Sequence, residues 1–272
     1  MAIQSQDHVS AADKEYKLPR DGRESIRLTA QHYMVVNRQG WILHPDVESA
    51  IKDIPNPKII DLATGTGIWA SDIAQRTSAC FWVYDSLDEV PEEHREKYDL
   101  VHVRLLLSAG PSIDKLVFIE CFKKFLKPGG WLQWEELAYP NILSVHVDAN
   151  SPSGLRQDFS VAYPIVHLLE KHLKMSDRLG WIDQFEKIVC KAGGWETAQK
   201  IAVPVHPHLL KIETDLTAVV LMDLTEKMIM IKRLKDQHDL TEFSEAIRKL
   251  HEDQDNGVMF AYNWVCGIAK KS

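Results

Sequence analysis

One segment constrains this chain more than any other: Lys58-Ile-Ile-Asp-Leu-Ala-Thr-Gly-Thr-Gly-Ile-Trp-Ala70. An apolar run ends in a carboxylate at Asp61, passes through two glycines, and continues into a helical pattern from Ile68 to Gln75. A strand that turns through glycines into a helix leaves its backbone bare, so a ligand can approach it closely. Gly65 and Gly67 provide that access. Asp61 can accept a hydrogen bond from a ligand ammonium, and Ala63, Thr64 and Thr66 line the same turn. A Gly-x-Gly alone is equally compatible with a tight turn that holds nothing. No Gly-Lys-Ser/Thr follows, which argues against a phosphate loop for ATP or GTP. The third glycine of the dinucleotide fingerprint is replaced by Ala70. Because that fingerprint tolerates alanine there, a dinucleotide enzyme stays as a minor alternative.

The remaining pattern alternates around this loop. Residues 25–37 predict a helix with Ile26, Tyr33 and Val36 on one face, stopped by Gly40, and Pro45 opens a second over 46–54. Strands are predicted at 58–62, 81–84, 100–103 and 131–136, with helices at 68–75 and 114–126. The second half predicts helices near 155–175, 177–192 and 215–251, and strands near 198–205 and 257–271. Strands alternating with helices imply an α/β fold, a Rossmann-like doubly wound sheet, mostly parallel, whose ligands bind beyond the carboxyl ends of the strands. Residues 1–22 read as a flexible polar arm, and 23–272 as a single domain with helical cap elements at about 23–54 and 150–251.

Charge and cysteine usage exclude several classes. A net charge of -7 argues against a nucleic-acid surface, and no apolar run reaches the roughly 18 residues needed to cross a membrane. The first residues lack a secretory pattern, so the expected location is cytoplasmic. Cys80, Cys121, Cys190 and Cys266 are scattered, which suggests buried free thiols rather than a zinc site or disulfides. His206 and His208 lack a third ligand at useful spacing, so no metal is expected.

Four segments together carry a resemblance: Arg27-Leu-Thr-Ala-Gln-His32 with Gly40 and His44-Pro45, the loop Asp61 to Ala70, Tyr98-Asp-Leu-Val-His-Val-Arg104, and Leu126-Lys-Pro-Gly-Gly-Trp-Leu-Gln-Trp-Glu135. Over roughly residues 24–268 the chain resembles class I S-adenosylmethionine-dependent methyltransferases, and within them the fungal LaeA-like group of secondary metabolism. The resemblance implies S-adenosyl-L-methionine as cofactor, with its methionine part on Gly65 and Gly67 and the strand end at Val101 to Leu105 beneath it. It also implies an antiparallel edge built from the last two strands.

Members of that family place a second strand, ending in an acidic residue that binds the ribose, and then a further helix and third strand before the Tyr-Asp-Leu-Val-His segment. The interval between Ala74 and Tyr98 holds one strand, at 81–84, so about one strand-helix unit is missing. Two alignments compete. Spacing from the loop makes Asp85 the ribose carboxylate. Local resemblance of Tyr84-Asp-Ser-Leu-Asp-Glu-Val-Pro91 makes Asp85 and Ser86 the end of strand three, beside the adenine, and the reading leans this way.

Methyl transfer is an in-line displacement that positioning largely accelerates, so no catalytic motif is required. His32 and Tyr33, on a segment expected to cap the cofactor end of the sheet, and His102 and Arg104, at a strand end, are the candidates for orienting or deprotonating an acceptor. Strand alternation is taken to leave one of the latter two structural. Trp131, Trp134, Trp181, Trp195 and Trp264 either line an aromatic pocket or fill the core. The acceptor is expected to be a small molecule of aromatic or alkaloid-like kind, acted on by a methyltransferase or by a non-methylating pericyclase or auxiliary binding protein on the same fold.

Overall fold

A computed structural model describes residues 21–84, 90–106, 115–152, 154–157, 164–173, 180–230 and 237–272. Asp85, Ser86 and residues 1–20 of the expected arm lie outside these. The chain opens with α1 (Gly22–Gln39) and α2 (Pro45–Ile51), then β1 (Lys58–Leu62), α3 (Ile68–Arg76), β2 (Cys80–Tyr84) and β3 (Tyr98–Arg104). Next come α4 (Lys115–Phe125), the long β4 (Leu126–Val147), β5 (Leu155–Gln157), α5 (Pro164–Leu173) and α6 (Phe185–Ala192). The chain closes with β6 (Trp195–Val203), α7 (Leu210–Met230), α8 (Gln237–Asp255) and β7 (Met259–Lys271).

The sheet runs β2-β1-β3-β4-β7-β6, with β5 paired to β4. β1 pairs in parallel with β2 and β3, and β3 with β4, while β7 is antiparallel to both β4 and β6. This is the doubly wound α/β arrangement with an antiparallel edge that the sequence predicts. β1 and β3 are buried on both faces. Ile60, Leu62, Val101, Val103, Leu132 and Trp134 meet Phe118, Phe122 and Phe185 on one side. Ile59, Leu100, Trp69 and Ile73 pack with Val47 and Ile51 on the other.

β2 pairs with β1 residue for residue, from Lys58 opposite Cys80 to Leu62 opposite Tyr84. In a doubly wound sheet the strand beside the first one, on the side away from the crossover, is the second; the third lies one place farther out. The strand at 80–84 therefore holds the second-strand position, which corrects the leaning toward strand three. Among the described residues no strand pairs with the outer side of β2, which forms that edge of the sheet.

Other expectations need correction. The helix expected from about residue 155 begins as β5, which extends the sheet from β4, and the long helix expected over 215–251 is two helices, α7 and α8. Of the four thiols only Cys121 and Cys266 are buried, and Cys80 and Cys190 are exposed. The largest change concerns α1. Ile26 and Tyr33 are 74% and 56% exposed, whereas Glu24, Arg27, His32 and Arg38 are buried along with Met34 and Val35. The helix buries its charges because each has a partner. Arg27 forks onto Glu24 at 2.6 and 2.7 Å. Arg38 donates to both oxygens of Glu213 at 3.0 and 3.1 Å and to the carbonyls of Val203, Pro204 and Tyr262. α1 is thereby tied to α7 and to the ends of β6 and β7.

Candidate active site

The register of the parallel strands stacks three rows on the face toward α1 and α3. The first is Ile59, Leu100 and Trp131; the second is Asp61, His102 and Gln133; the third is Arg104 beside Glu135. Side chains alternate along a strand, so residues two apart share a face, and the rows change from apolar to polar toward the carboxyl ends. His102 and Arg104 therefore point the same way, correcting the expectation that alternation separates them.

The glycine loop leaves β1 at this polar end. Asp61 is buried, with one oxygen 2.7 Å from His102 Nδ1 and the other accepting the Thr64 hydroxyl at 2.6 Å. The Thr64 carbonyl accepts the Gly67 amide at 3.0 Å, closing the turn into α3. Backbone angles through the loop are left-handed at Ala63 (φ 54°), Gly65 (φ 59°) and Gly67 (φ 74°). Glycine adopts this region freely, but at Ala63 it is strained. Gly67 is the residue before the first turn of α3, and no side chain caps that turn, so its amide groups stay accessible. A β-carbon on Gly65 would lie 3.3 Å from Leu28 Cδ1, so α1 passes directly over the loop.

A chain of polar groups extends from Asp61 to α1 and α3. His102 is 1% exposed and stacks on Trp69 with ring centroids 3.6 Å apart. Its Nε2 lies 3.9 Å from Glu135 Oε1. Glu135 accepts Arg104 Nε at 2.6 Å and Gln133 Nε2 at 2.7 Å. Burial on its own raises the Glu135 pKa, but the charge of Arg104 and the contacts with His102 outweigh it and hold the carboxyl at about 2. Arg104 Nη1 is 3.0 Å from His32 Nδ1, and His32 Nε2 is 3.0 Å from Asp72 Oδ2. A guanidinium only donates, so Nδ1 accepts and the His32 proton sits on Nε2, facing Asp72. Burial, and then the Arg104 charge, lower the His32 pKa below its ordinary value against the pull of Asp72. Desolvation raises the Asp72 carboxyl, and its hydrogen bonds with His32 and Arg76 overcome this, for a net lowering.

The structure thus brings together Asp61, Thr64, Gly65, Gly67, His32, His102 and Arg104. Ala63 and Thr66 belong to the same loop. Tyr33 is not part of the cluster; it edges against His32 from the exposed side of α1. Both His32 nitrogens are engaged, so the ring links α1, α3 and β3. His206 and His208 bond instead to the Arg38 carbonyl and the Asn37 side chain. Trp134, Trp181 and Trp264 lie in the core. Sequence reasoning missed Glu135, Gln133, Asp72 and Leu28 as site residues. The available signal was Trp131-Leu-Gln-Trp-Glu-Glu136, where acids interrupt a strand otherwise suited to burial.

No protein-family profile matches the chain. Comparison with curated proteins finds methyltransferase grgD of a Penicillium species, 32% identical over 152 residues, covering 45% of this chain and 52% of that protein. Methyltransferase pytC of Aspergillus terreus is 26% identical over 197 residues, covering 65% and 57%. The N-methyltransferase sirN of Leptosphaeria maculans is 26% identical over 144 residues, covering 44% and 49%. The chain is similar in sequence to fungal methyltransferases. It spans about half the length of these curated relatives. Among solved structures, phosphoethanolamine N-methyltransferase 2 of Haemonchus contortus with S-adenosylhomocysteine aligns at TM-score 0.42 and 14% identity, over 93% of this chain and 59% of that one. The [4+2]-cyclase SpnF aligns at TM-score 0.40 and 12% identity, over 94% and 98%.

Proposed function

We propose that the chain binds S-adenosyl-L-methionine at the Asp61 to Gly67 loop and transfers its methyl group to a small-molecule acceptor of fungal secondary metabolism, of aromatic or alkaloid-like kind. Within the methyltransferases we place it in the LaeA-like group. The observation that carries this reading is the loop itself: a turn at the carboxyl end of β1 that is left-handed at Ala63, Gly65 and Gly67, bare of side chains at its two glycines, and anchored through Thr64 and Asp61 to His102 on β3. The names of the fungal relatives support the reaction class.

The residues present suit this cofactor. Gly65 and Gly67 allow backbone contact, and the carboxylates of Asp61 and Glu135 favour a ligand bearing positive charge. Bound there, the cofactor supplies a methyl group activated by a sulfonium. The chain's part is to orient that end, exclude water by laying Leu28 of α1 over Gly65, and hold the acceptor in line. Within this scheme His102 braces Asp61, and Asp85, next in sequence after β2, is the proposed ribose ligand.

Calorimetry of the purified chain with S-adenosylhomocysteine tests the reading. Saturable binding is expected, and no binding at millimolar ligand would refute it. A second reading has its own support: among the described residues no strand pairs with the outer side of β2, as expected of a fold whose adenosine side is a strand-helix unit short. On that reading the chain is a pericyclase or auxiliary binding protein that consumes no cofactor. Incubation with pathway intermediates separates the two, because release of S-adenosylhomocysteine in step with product excludes the second.

A further inference from the structure

We infer that Arg104 is the anchor for the carboxylate of an amino-acid ligand end, and that His32 is the positioning residue that aims it. The inference rests on the cofactor reading above and gives that ligand's methionine end a definite polarity.

The register ends with Leu62 opposite Val103, so Arg104 is the next residue on β3, level with Ala63 where the glycine loop begins. Two of its three guanidinium nitrogens are committed: Nε to Glu135 Oε2 at 2.6 Å and Nη1 to His32 Nδ1 at 3.0 Å. Those bonds fix the plane of the group. Its third nitrogen, Nη2, is buried and has no hydrogen-bond partner among the described residues. Glu135 does not close a two-pronged pair with Arg104, because its Oε1 is taken by Gln133 at 2.7 Å and Gln39 at 3.4 Å. One prong of a rigid fork is therefore left over. A buried guanidinium donor without a partner is costly, and a carboxylate is the group that matches its geometry.

His32 makes this arrangement possible. A second cation beside Arg104 would repel it, but the proton of His32 faces Asp72, and Nδ1 offers Arg104 a lone pair. Asp72 is in turn held by Arg76 at 3.0 Å, so it does not draw Arg104 away. The surroundings also explain why the ligand end should be zwitterionic. Asp61 is directly opposite His102, and Arg104 lies two residues farther along β3 on the same face, so the two are diagonal neighbours about 7 to 8 Å apart at the backbone. One carboxylate and one guanidinium at that spacing complement the ammonium and carboxylate of an α-amino acid. A ligand carrying only the cation leaves Arg104 unmatched.

The test compares S-adenosylmethionine with decarboxylated S-adenosylmethionine, which keeps the sulfonium and the amine, in calorimetric titrations of the full chain. The wild type is expected to bind the carboxylate form roughly ten- to hundredfold more tightly, the range for one charge-assisted hydrogen bond. R104K, which keeps the charge but loses the planar fork, should lose most of that preference while binding the decarboxylated form within about threefold of wild type. His32→Asn, whose side-chain oxygen replaces Nδ1, should keep the preference, and His32→Phe should lose it. A wild type that binds both ligands equally overturns this inference and leaves the cofactor reading intact. A wild type that binds neither overturns both. Loss of affinity for the two ligands in equal proportion in R104K would show that Arg104 acts on the fold and would likewise overturn it.

Discussion

His102 and Asp61 face each other across β3 and β1 at 2.7 Å, beneath a Trp69 ring that lies parallel to the imidazole at an angle of 1°. The pair joins the strand that carries Arg104 to the loop that carries Gly65 and Gly67. Anything that disturbs it disturbs both, and this makes it the first target for mutation.

Asp61→Asn keeps the shape but gives His102 and Thr64 a mismatched partner on one oxygen position. It should cost about 1 to 3 kcal/mol in urea denaturation, as expected for a compromised buried hydrogen bond. It should also weaken S-adenosylhomocysteine binding. Unchanged stability and affinity would show that the pair is incidental.

Arg38 and Glu213 are both fully buried, and the arginine satisfies three carbonyls besides the carboxylate. Removing one partner strands the other. Arg38→Met is expected to destabilise the chain by about 3 to 5 kcal/mol, while R38M/E213L should recover the part due to the stranded carboxylate and not the part due to the three carbonyls. A double variant no more stable than the single one would contradict this account.

His32 and His44 should each make acid destabilise the fold between pH 7 and pH 5. Burial lowers the pKa of both His32 and His44 below 6.5, so the unfolded chain binds more protons in that range. Their contribution is complete above pH 6.5 and is lost as the pH falls toward the folded values. Glu213 acts in the opposite sense, because burial lifts it to about 7 against the charge of Arg38. Its contribution is complete below pH 4.5 and lost as the pH rises through 7. His32→Asn removes one acid-side contribution, so its urea midpoint should fall less from pH 7 to pH 5 than that of the wild type. An equal fall would rule out His32 as a source of the dependence.

Two backbone positions make opposite predictions. A β-carbon on Gly267 of β7 would sit 2.8 Å from the Phe185 ring, so Gly267→Ala should cost about 1 to 3 kcal/mol by overpacking. Ala63, at φ 54°, is strained as it stands, so Ala63→Gly should leave stability unchanged or raise it by up to about 1 kcal/mol. Thermal melts of the two variants should move apart accordingly.

Much of the scaffold was legible locally. The run from Lys58 to Ala70 specifies strand, turn and helix because apolar residues, glycines and a helical period fall in that order, and β1 and α3 form there. The helix at 115–125 and the final strand at 259–271 follow from the same rules. The place of the strand at 80–84 was not legible, since pairing with β1 is a choice between neighbours that the strand's own residues do not record.

What the sequence by itself determined is the alternation of strands and helices and the position of the glycine loop. Tertiary structure alone decided which charges are inside. Hydrophobic periodicity treats a polar residue as exposed, so it grouped Ile26, Tyr33 and Val36 on one face of α1 and gave no sign that Arg38 and His32 are buried. Their burial is affordable only because Glu213 lies 175 positions away from Arg38 and Asp72 lies 40 from His32, close enough in space to neutralise or hydrogen-bond them. Such partners are invisible along the chain, because the free energy of burying a charge depends on what the fold places beside it.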